Sequence, residues 1–414
     1  MFKKKKRKKR LPASGAMQTR GAAAQGGNEL EDYKARIAYY RKRNIIRALI
    51  AVGAVALIAF LVVFVIQKRS YHSYKVIATS DQEDTVSTKY TELDGKLFKY
   101  SGQGASLVSK EQETLWNVAY DEMQNPTTDK CGETIVVYDQ GNTTMAIFNE
   151  EGQLGSVQTS LNIVKARVAR QGVVAAILDG GDDTWINFYA ADGSLIAENQ
   201  TRVDDPGYPL DISVSEDGMM IMVTYQFVDG GKTTSYVAFY NFGTVGQNQI
   251  DNIVSGYKYE GVVIPQVAYL KDDIAVAFRD DGFTLFKGKQ VPKEGNTVKV
   301  EKEIVSAFYD EDMVGLVFKN DNKESKDKQY VMNVYGTNGN LKFKKEFSIP
   351  YTNIKVSGGQ VVMNNSSQVC VISGSGVEKF NGTIDEGSIS DFFKLGMNRY
   401  MLVLDNGLST IKFK

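Results

Sequence analysis

Histidine is almost missing from this chain: His72 is the only one in 414 residues. Nucleophilic triads need a base, usually an imidazole, so Ser–His and Cys–His catalysis is excluded and the usual zinc sites lose their commonest ligand. His72 stands in "SYHSY", beside an apolar run, where a polar interfacial residue is expected rather than a catalyst. Cysteine is nearly absent as well. Cys131 and Cys370 have no metal-like spacing and make no disulfide framework; buried free thiols are expected, with one long-range bridge as the alternative. Tryptophan (2) and proline (7) are scarce, and no Trp-Asp pair occurs. No Walker loop, Gly-x-Ser-x-Gly elbow or dinucleotide fingerprint stands in its proper context.

Long apolar runs are absent except for one. Ala48–Ile66, "ALIAVGAVALIAFLVVFVI", has 19 residues without a charge. At about 1.5 Å per residue it spans a hydrocarbon core of roughly 30 Å as a helix. It is too long, and too far from the N-terminus, for a cleaved secretory signal. Charge is absent only as a total. Residues 1–47 carry 15 Lys/Arg against 3 Asp/Glu, and the other 367 carry 34 against 46. The positive-inside rule therefore keeps the N-terminus in the cytoplasm and exports the rest, as a single-pass protein of the cell membrane. Tyr39, Tyr40, Arg41, Lys42, Arg43 and Arg47 are the expected interface residues on the inner side.

Residues 1–27 read as a basic disordered tail, and 28–47 as a juxtamembrane amphipathic helix opened by Asn28 and Glu31 at capping-box spacing. The span at 48–66 and a polar extracellular stalk at 67–95 follow. Lys3–Arg10 ("KKKKRKKR") sets topology and has the charge to hold anionic lipid; contact with RNA would be by charge alone, with no specific nucleic acid implied.

What the chain has in plenty is Tyr (22), Phe (20) and Gly (38), a composition of many strands and tight turns. The step Tyr189–Gly193–Leu195 ("FYAADGSL") recurs as Phe148–Gly152–Leu154 and Tyr335–Gly339–Leu341. Looser copies centre on Gly104, Gly243, Gly288 and Gly376, so the marks fall 37 to 51 residues apart. Nearly continuous apolar strands such as "GVVAAILDGG" (172–181) and "GMMIMVTYQF" (218–227) lie between them. Buried inner strands and amphipathic outer ones, repeated every 40–50 residues or so, describe β-propeller blades. Seven blades over 96–414 are expected, with the strand at Lys96–Gly102, or the "ASLVS" after it, completing a last blade that is one strand short.

One uncleaved apolar helix, hairpins of the "FYAADGSL" kind and "DISVSEDGMMIMV" (211–223) resemble an uncharacterised, domain-of-unknown-function family. Its members are single-pass, membrane-anchored propeller proteins of Gram-positive bacteria, and the repeats are also similar to WD40-like and quinoprotein-like propellers. The resemblance implies a propeller and an anchor. It carries over no catalytic, cofactor or metal residues.

Three carboxylate runs could ligate a cation or act as paired acids: Asp179, Asp182 and Asp183; Asp280 and Asp281; Asp310, Glu311 and Asp312. Each stands where a strand turns, and turn chemistry accounts for them. No cofactor or metal is expected. Three loops stand out, at 199–210, 255–262 and 320–329. From the first two, Arg202, Tyr208, Tyr257 and Tyr259 are candidate binding-surface residues, with tyrosines capping blade junctions as the plainer reading. The function expected is a non-enzymatic binding or scaffold module for a protein or cell-envelope polymer. The alternatives are a glycan-acting enzyme using carboxylates, or a ligand sensor signalling through the basic tail.

Overall fold

The computed structural model describes residues 25–80, 87–181, 183–202, 206–322, 324–325, 327–405 and 407–414. The chain forms two units, residues 1–68 and 69–414. Lys3–Arg10 lies outside the described residues.

Among its described residues the first unit is one helix, Gln25–Lys68. Within it Ile37–Leu61, with a mean hydropathy of 2.3, is long and apolar enough to cross a membrane. Tyr39, Tyr40, Arg41, Lys42, Arg43 and Arg47 all lie on this helix, upstream of or within that stretch, and are exposed. Asn28 lies inside the helix, so the capping box expected at Asn28–Glu31 does not start it.

The second unit is a propeller of eight four-stranded antiparallel sheets, not seven. Blade 1 runs over Lys89–Ala119, blade 2 over Pro126–Gln158, blade 3 over Asn162–Arg202 and blade 4 over Tyr208–Glu260. Blades 5, 6 and 7 cover Gln266–Lys299, Ile304–Phe347 and Asn353–Thr383. Blade 8 takes three strands from Ile389–Phe413 and its outermost strand from Tyr74–Ser80, which pairs from Tyr74↔Phe413 to Ser80↔Leu408.

Closure by an N-terminal strand is therefore observed, but with a different strand from the one expected. Lys96–Tyr100 is the second strand of its own blade, paired with Lys89–Leu93. The stalk expected at 67–95 instead supplies two blade strands. Its polar look conceals an alternation in "YKVIATS": Tyr74 and Val76 pack on the blade 7–8 cluster, and Tyr74 sets its ring edge against Phe380, 6.5 Å between centroids. The repeat count fell one short for a related reason. The seven glycine marks each belong to one of blades 1–7, and blade 8 has no hairpin before its outermost strand because that strand comes from the other end of the chain.

Each of the eight junctions between neighbouring blades holds its own apolar cluster. The middle strands fill them, as in Thr134–Asp139, where every residue is buried. A fully buried Val, Leu, Ile or Phe contributes about 1.5–3 kcal/mol, so the junctions are where the fold is held. Gly193 shows why the hairpin glycine repeats. Its φ is +90°, and a Cβ there would stand 2.2 Å from the Ser156 carbonyl oxygen of the neighbouring blade. Cys131, in blade 2, and Cys370, in blade 7, are free thiols, and burial pushes each up to about 12.

Candidate binding cleft

The first strand of each blade faces the central channel, and several of the charges there are paired across neighbouring blades. Arg167 of blade 3 donates from Nη1 to Asp129 Oδ1 of blade 2 (3.1 Å) and from Nε to the Ile212 carbonyl of blade 4 (3.2 Å). Its Nη2 lies 3.5 Å from Asp211 Oδ1, which also holds Lys165 Nζ at 2.6 Å. Asp211 is fully buried, and its other oxygen accepts the Val267 N–H of blade 5 at 2.9 Å. One carboxylate thus ties blade 4 to both its neighbours. Burial works against the charge on Arg167, but Asp129 and Asp211 outweigh it and raise the guanidinium's pKa. The same pairing recurs at Lys355–Asp391 (2.6 Å) and Lys130–Glu92 (2.6 Å).

At one mouth of the channel is a cavity of about 880 Å³. Its Glu92 and Glu216 are held by Lys130 and Arg170. Asp310 Oδ1 accepts the N–H groups of Asp312 (2.8 Å) and Met313 (2.9 Å). The other carboxylate runs are occupied in the same local way. Asp179 accepts from Gly181 N (2.8 Å) and Asp183 from Gln200 (2.7 Å). Asp281 accepts twice from Arg279, which holds its carboxyl below the usual range. Asp182 lies outside the described residues.

Blade 4 has two unlike flanks. Towards blade 5 the junction is filled by rings. Tyr257 donates its hydroxyl to the Pro292 carbonyl (3.0 Å) and lies 5.2 Å from the Phe286 ring, and Phe239 meets Phe286 at 5.0 Å. Tyr259 packs in the same cluster, with the Arg279 guanidinium 5.3 Å from its ring. Towards blade 3 the outer part of the junction stays open, as a cleft of about 750 Å³.

The open flank follows from side-chain size. Blade 3 presents Ala197, Asn199 and Thr201 from its outermost strand, Leu195–Arg202, and blade 4 presents Gly256 between Ile253 and Lys258. Gly256 is required, since a Cβ would fall 2.0 Å from the Tyr236 hydroxyl that crosses it. The cleft's chemistry is mixed. Lys258 bonds Asp229 and lies 5.3 Å from the Phe227 ring. Asn199, half-buried, and Asp251 make no side-chain hydrogen bond or ion pair among the described residues. Asp251 and Asn252 both have left-handed backbones, with φ of +53° and +59°. Asp and Asn tolerate that region better than other non-glycine residues, at a cost of about 1–3 kcal/mol each.

The four residues singled out from the sequence do not line one pocket. Tyr257 and Tyr259 stand in the closed blade 4–5 junction. Tyr208 starts the innermost strand of blade 4, part exposed and opposite Gln226. Arg202 ends the outermost strand of blade 3, opposite Asp183. Their loops come closer to the mark. Asn199, Gln200, Thr201 and Pro206, from the loop at 199–210, line the cleft, and Lys258 joins them from 255–262. Asp251 and Tyr236 were missed. The signal for Asp251 was the length of the "NFGTVGQNQIDN" connection, 241–252, which the other blades do not match.

An eight-bladed ring that follows one apolar helix in the sequence, with a polar cleft open between two of its blades, defines a β-propeller. The chain belongs to the Family of unknown function (DUF5711), which it matches over residues 67–413. No curated protein matches it in sequence. Its fold is similar to that of a eukaryotic initiation factor (TM-score 0.51, 10% identity, 84% of this chain and 88% of that one). It is also similar to Sqt1 of Saccharomyces cerevisiae (0.50, 12%, 84% and 99%). BamB of Moraxella catarrhalis aligns at 0.48 with 12% identity, over 83% of this chain and all of BamB. At such identities the likeness is one of fold alone.

Proposed function

We propose that this protein is a membrane-anchored binding or scaffold module, which works by docking a partner on its propeller and not by catalysis. The apolar run of the helix, at 48–66, is its anchor, the basic N-terminal segment stays in the cytoplasm, with Lys3–Arg10 against anionic lipid, and the propeller stands outside the cytoplasmic membrane. The observation that carries this reading is a contrast. The channel's ion pairs bond neighbouring blades to each other, whereas in the cleft between blades 3 and 4 Asn199 and Asp251 make no side-chain hydrogen bond or ion pair among the described residues.

The test is cross-linking of intact cells followed by capture through an N-terminal tag. Reproducible retention of one protein or envelope polymer, above a control membrane protein, is expected. A folded, exported protein that retains nothing, yet turns over a wall glycan and stops when Asp310 or Asp281 is replaced, would overturn the reading in favour of an enzyme.

A further inference from the structure

Each blade leaves the far edge of its outermost strand unpaired, and exposed edges invite another strand to add. Natural sheets guard such edges with lysine, and five of the eight outermost strands here carry it: those of blades 4, 5, 6, 7 and 8. Blades 1, 2 and 3 do not. Of these three, blade 1 offers six residues, and blade 2 offers seven of which two are glycine. Blade 3 offers eight, Leu195–Arg202, "LIAENQTR", with no glycine and with Leu195 and Ile196 about half exposed (52% and 49%). This strand does carry Glu198 and Arg202, whereas those of blades 1 and 2 carry no charge; what singles it out is its length and its place beside the open cleft.

The apolar surface agrees. Val228, in the cleft wall, is 73% exposed, and Ile250, next to Asp251, is 86% exposed. We infer that the outermost strand of blade 3 and the cleft beside it form a docking site for an extended polypeptide segment, added as a fifth strand to the blade. The inference rests on the binding-module reading and names the kind of partner.

The chemistry specifies the segment. Main-chain hydrogen bonds to the free edge supply affinity, and alternate side chains enter the cleft, as strand addition requires. Asn199 offers an amide donor and acceptor, the pair that matches a peptide group. The apolar rim calls for β-branched or aliphatic residues on one face. The carboxylate of Asp251, which has no side-chain hydrogen bond or ion pair among the described residues, calls for a Lys or Arg within the segment. A neutral glycan would use the polar groups but leave the strand edge and the apolar rim bare.

The test pans a random decapeptide library on phage against the full chain in nanodiscs. Selected peptides should alternate apolar with polar or basic residues. A synthetic consensus peptide should slow amide exchange across residues 195–202 and bind Ile196→Lys at least ten-fold more weakly. Asn199→Ala, which leaves the edge intact, should weaken it several-fold, and Leu341→Lys on the blade 6 hairpin should bind like the parent. Protection that maps elsewhere, binders indifferent to both Ile196→Lys and Asn199→Ala, no binders, or protection of 195–202 by wall oligosaccharides instead would each overturn the inference. A partner captured in cells equally well by Ile196→Lys and the parent would overturn it too, while leaving the broader reading standing.

Discussion

Blade 4 meets blade 5 through tyrosine and phenylalanine rings out to its outermost strand. Towards blade 3 the inner part of the junction is packed, with Phe188 stacked on Phe242 at 4.6 Å, but the outer part presents alanine, asparagine, threonine and a glycine. The backbones on the two sides follow the same four-stranded path, yet one junction is filled and the other holds a cleft of about 750 Å³. Side-chain volume at a handful of outer-strand positions, not strand geometry, makes the difference. Close-packed interiors leave few voids, so a cleft left open on the outer side of a junction whose inner part is packed marks a surface shaped for something else.

The comparison breaks most severely if its shared inner support is removed. Asp211 holds Arg167 and Lys165 on the open side and Val267 N on the closed side, so Asp211→Ala leaves the Arg167 guanidinium with Asp129 as its one carboxylate and takes the acceptor from the buried Val267 N–H. A loss of about 3–5 kcal/mol is expected in denaturant unfolding, and a loss near zero would show that the channel pairs do not hold blade 4.

A sharper test sets the two flanks side by side. Tyr257→Ala should cost about 2–3 kcal/mol, below the value for a fully buried ring because Tyr257 is only half-buried. Asn199→Ala should change stability by no more than about 0.5 kcal/mol, since its side chain makes no hydrogen bond among the described residues. Equal costs in the same unfolding assay would refute the distinction between a packed flank and an open one.

The smallest effect is in pH. Bonds from Arg279 depress the Asp281 carboxyl, so its contribution is present above the unfolded carboxylate value and is lost as pH falls through the lower folded one. Arg279 also lies over Tyr259, which places this acid loss on the closed flank. Burial raises Asp310, so its sign is opposite: stability declines as pH rises from the unfolded value through the folded one. Asp281→Asn should flatten the acid limb by at most about 1 kcal/mol, because the group is a third exposed and screened. Asp310→Asn should remove the opposing slope. Unfolding curves between pH 3 and 6, on the order of the carboxylate range, would distinguish the two.

Much of the propeller was readable from the chain. Period-2 alternation, buried runs such as 172–181 and the recurring glycine are local signals, and each was read from residues close in sequence. The blade number was not readable in the same way. The eighth blade joins Tyr74–Ser80 to Gly407–Phe413, a pairing across more than three hundred residues that no local pattern announces. The candidate residues show the same limit at finer scale. Tyr257 and Tyr259 were singled out as residue types that anchor interfaces, with capping of a blade junction as the plainer reading, and alternation along Ile253–Glu260 turns both towards blade 5. Lys258, between them, faces the cleft.

By itself the sequence determined the apolar helix, the charge split on either side of it and the repeating four-stranded unit. These depend on composition and on spacings of a few residues, which physics reads locally. Only the tertiary structure decided that eight units close the ring, that the N-terminal segment supplies the last strand, and that one flank of blade 4 is left open. Those outcomes depend on which side chains meet across neighbouring blades. That is set by volumes and partners brought together from distant parts of the chain.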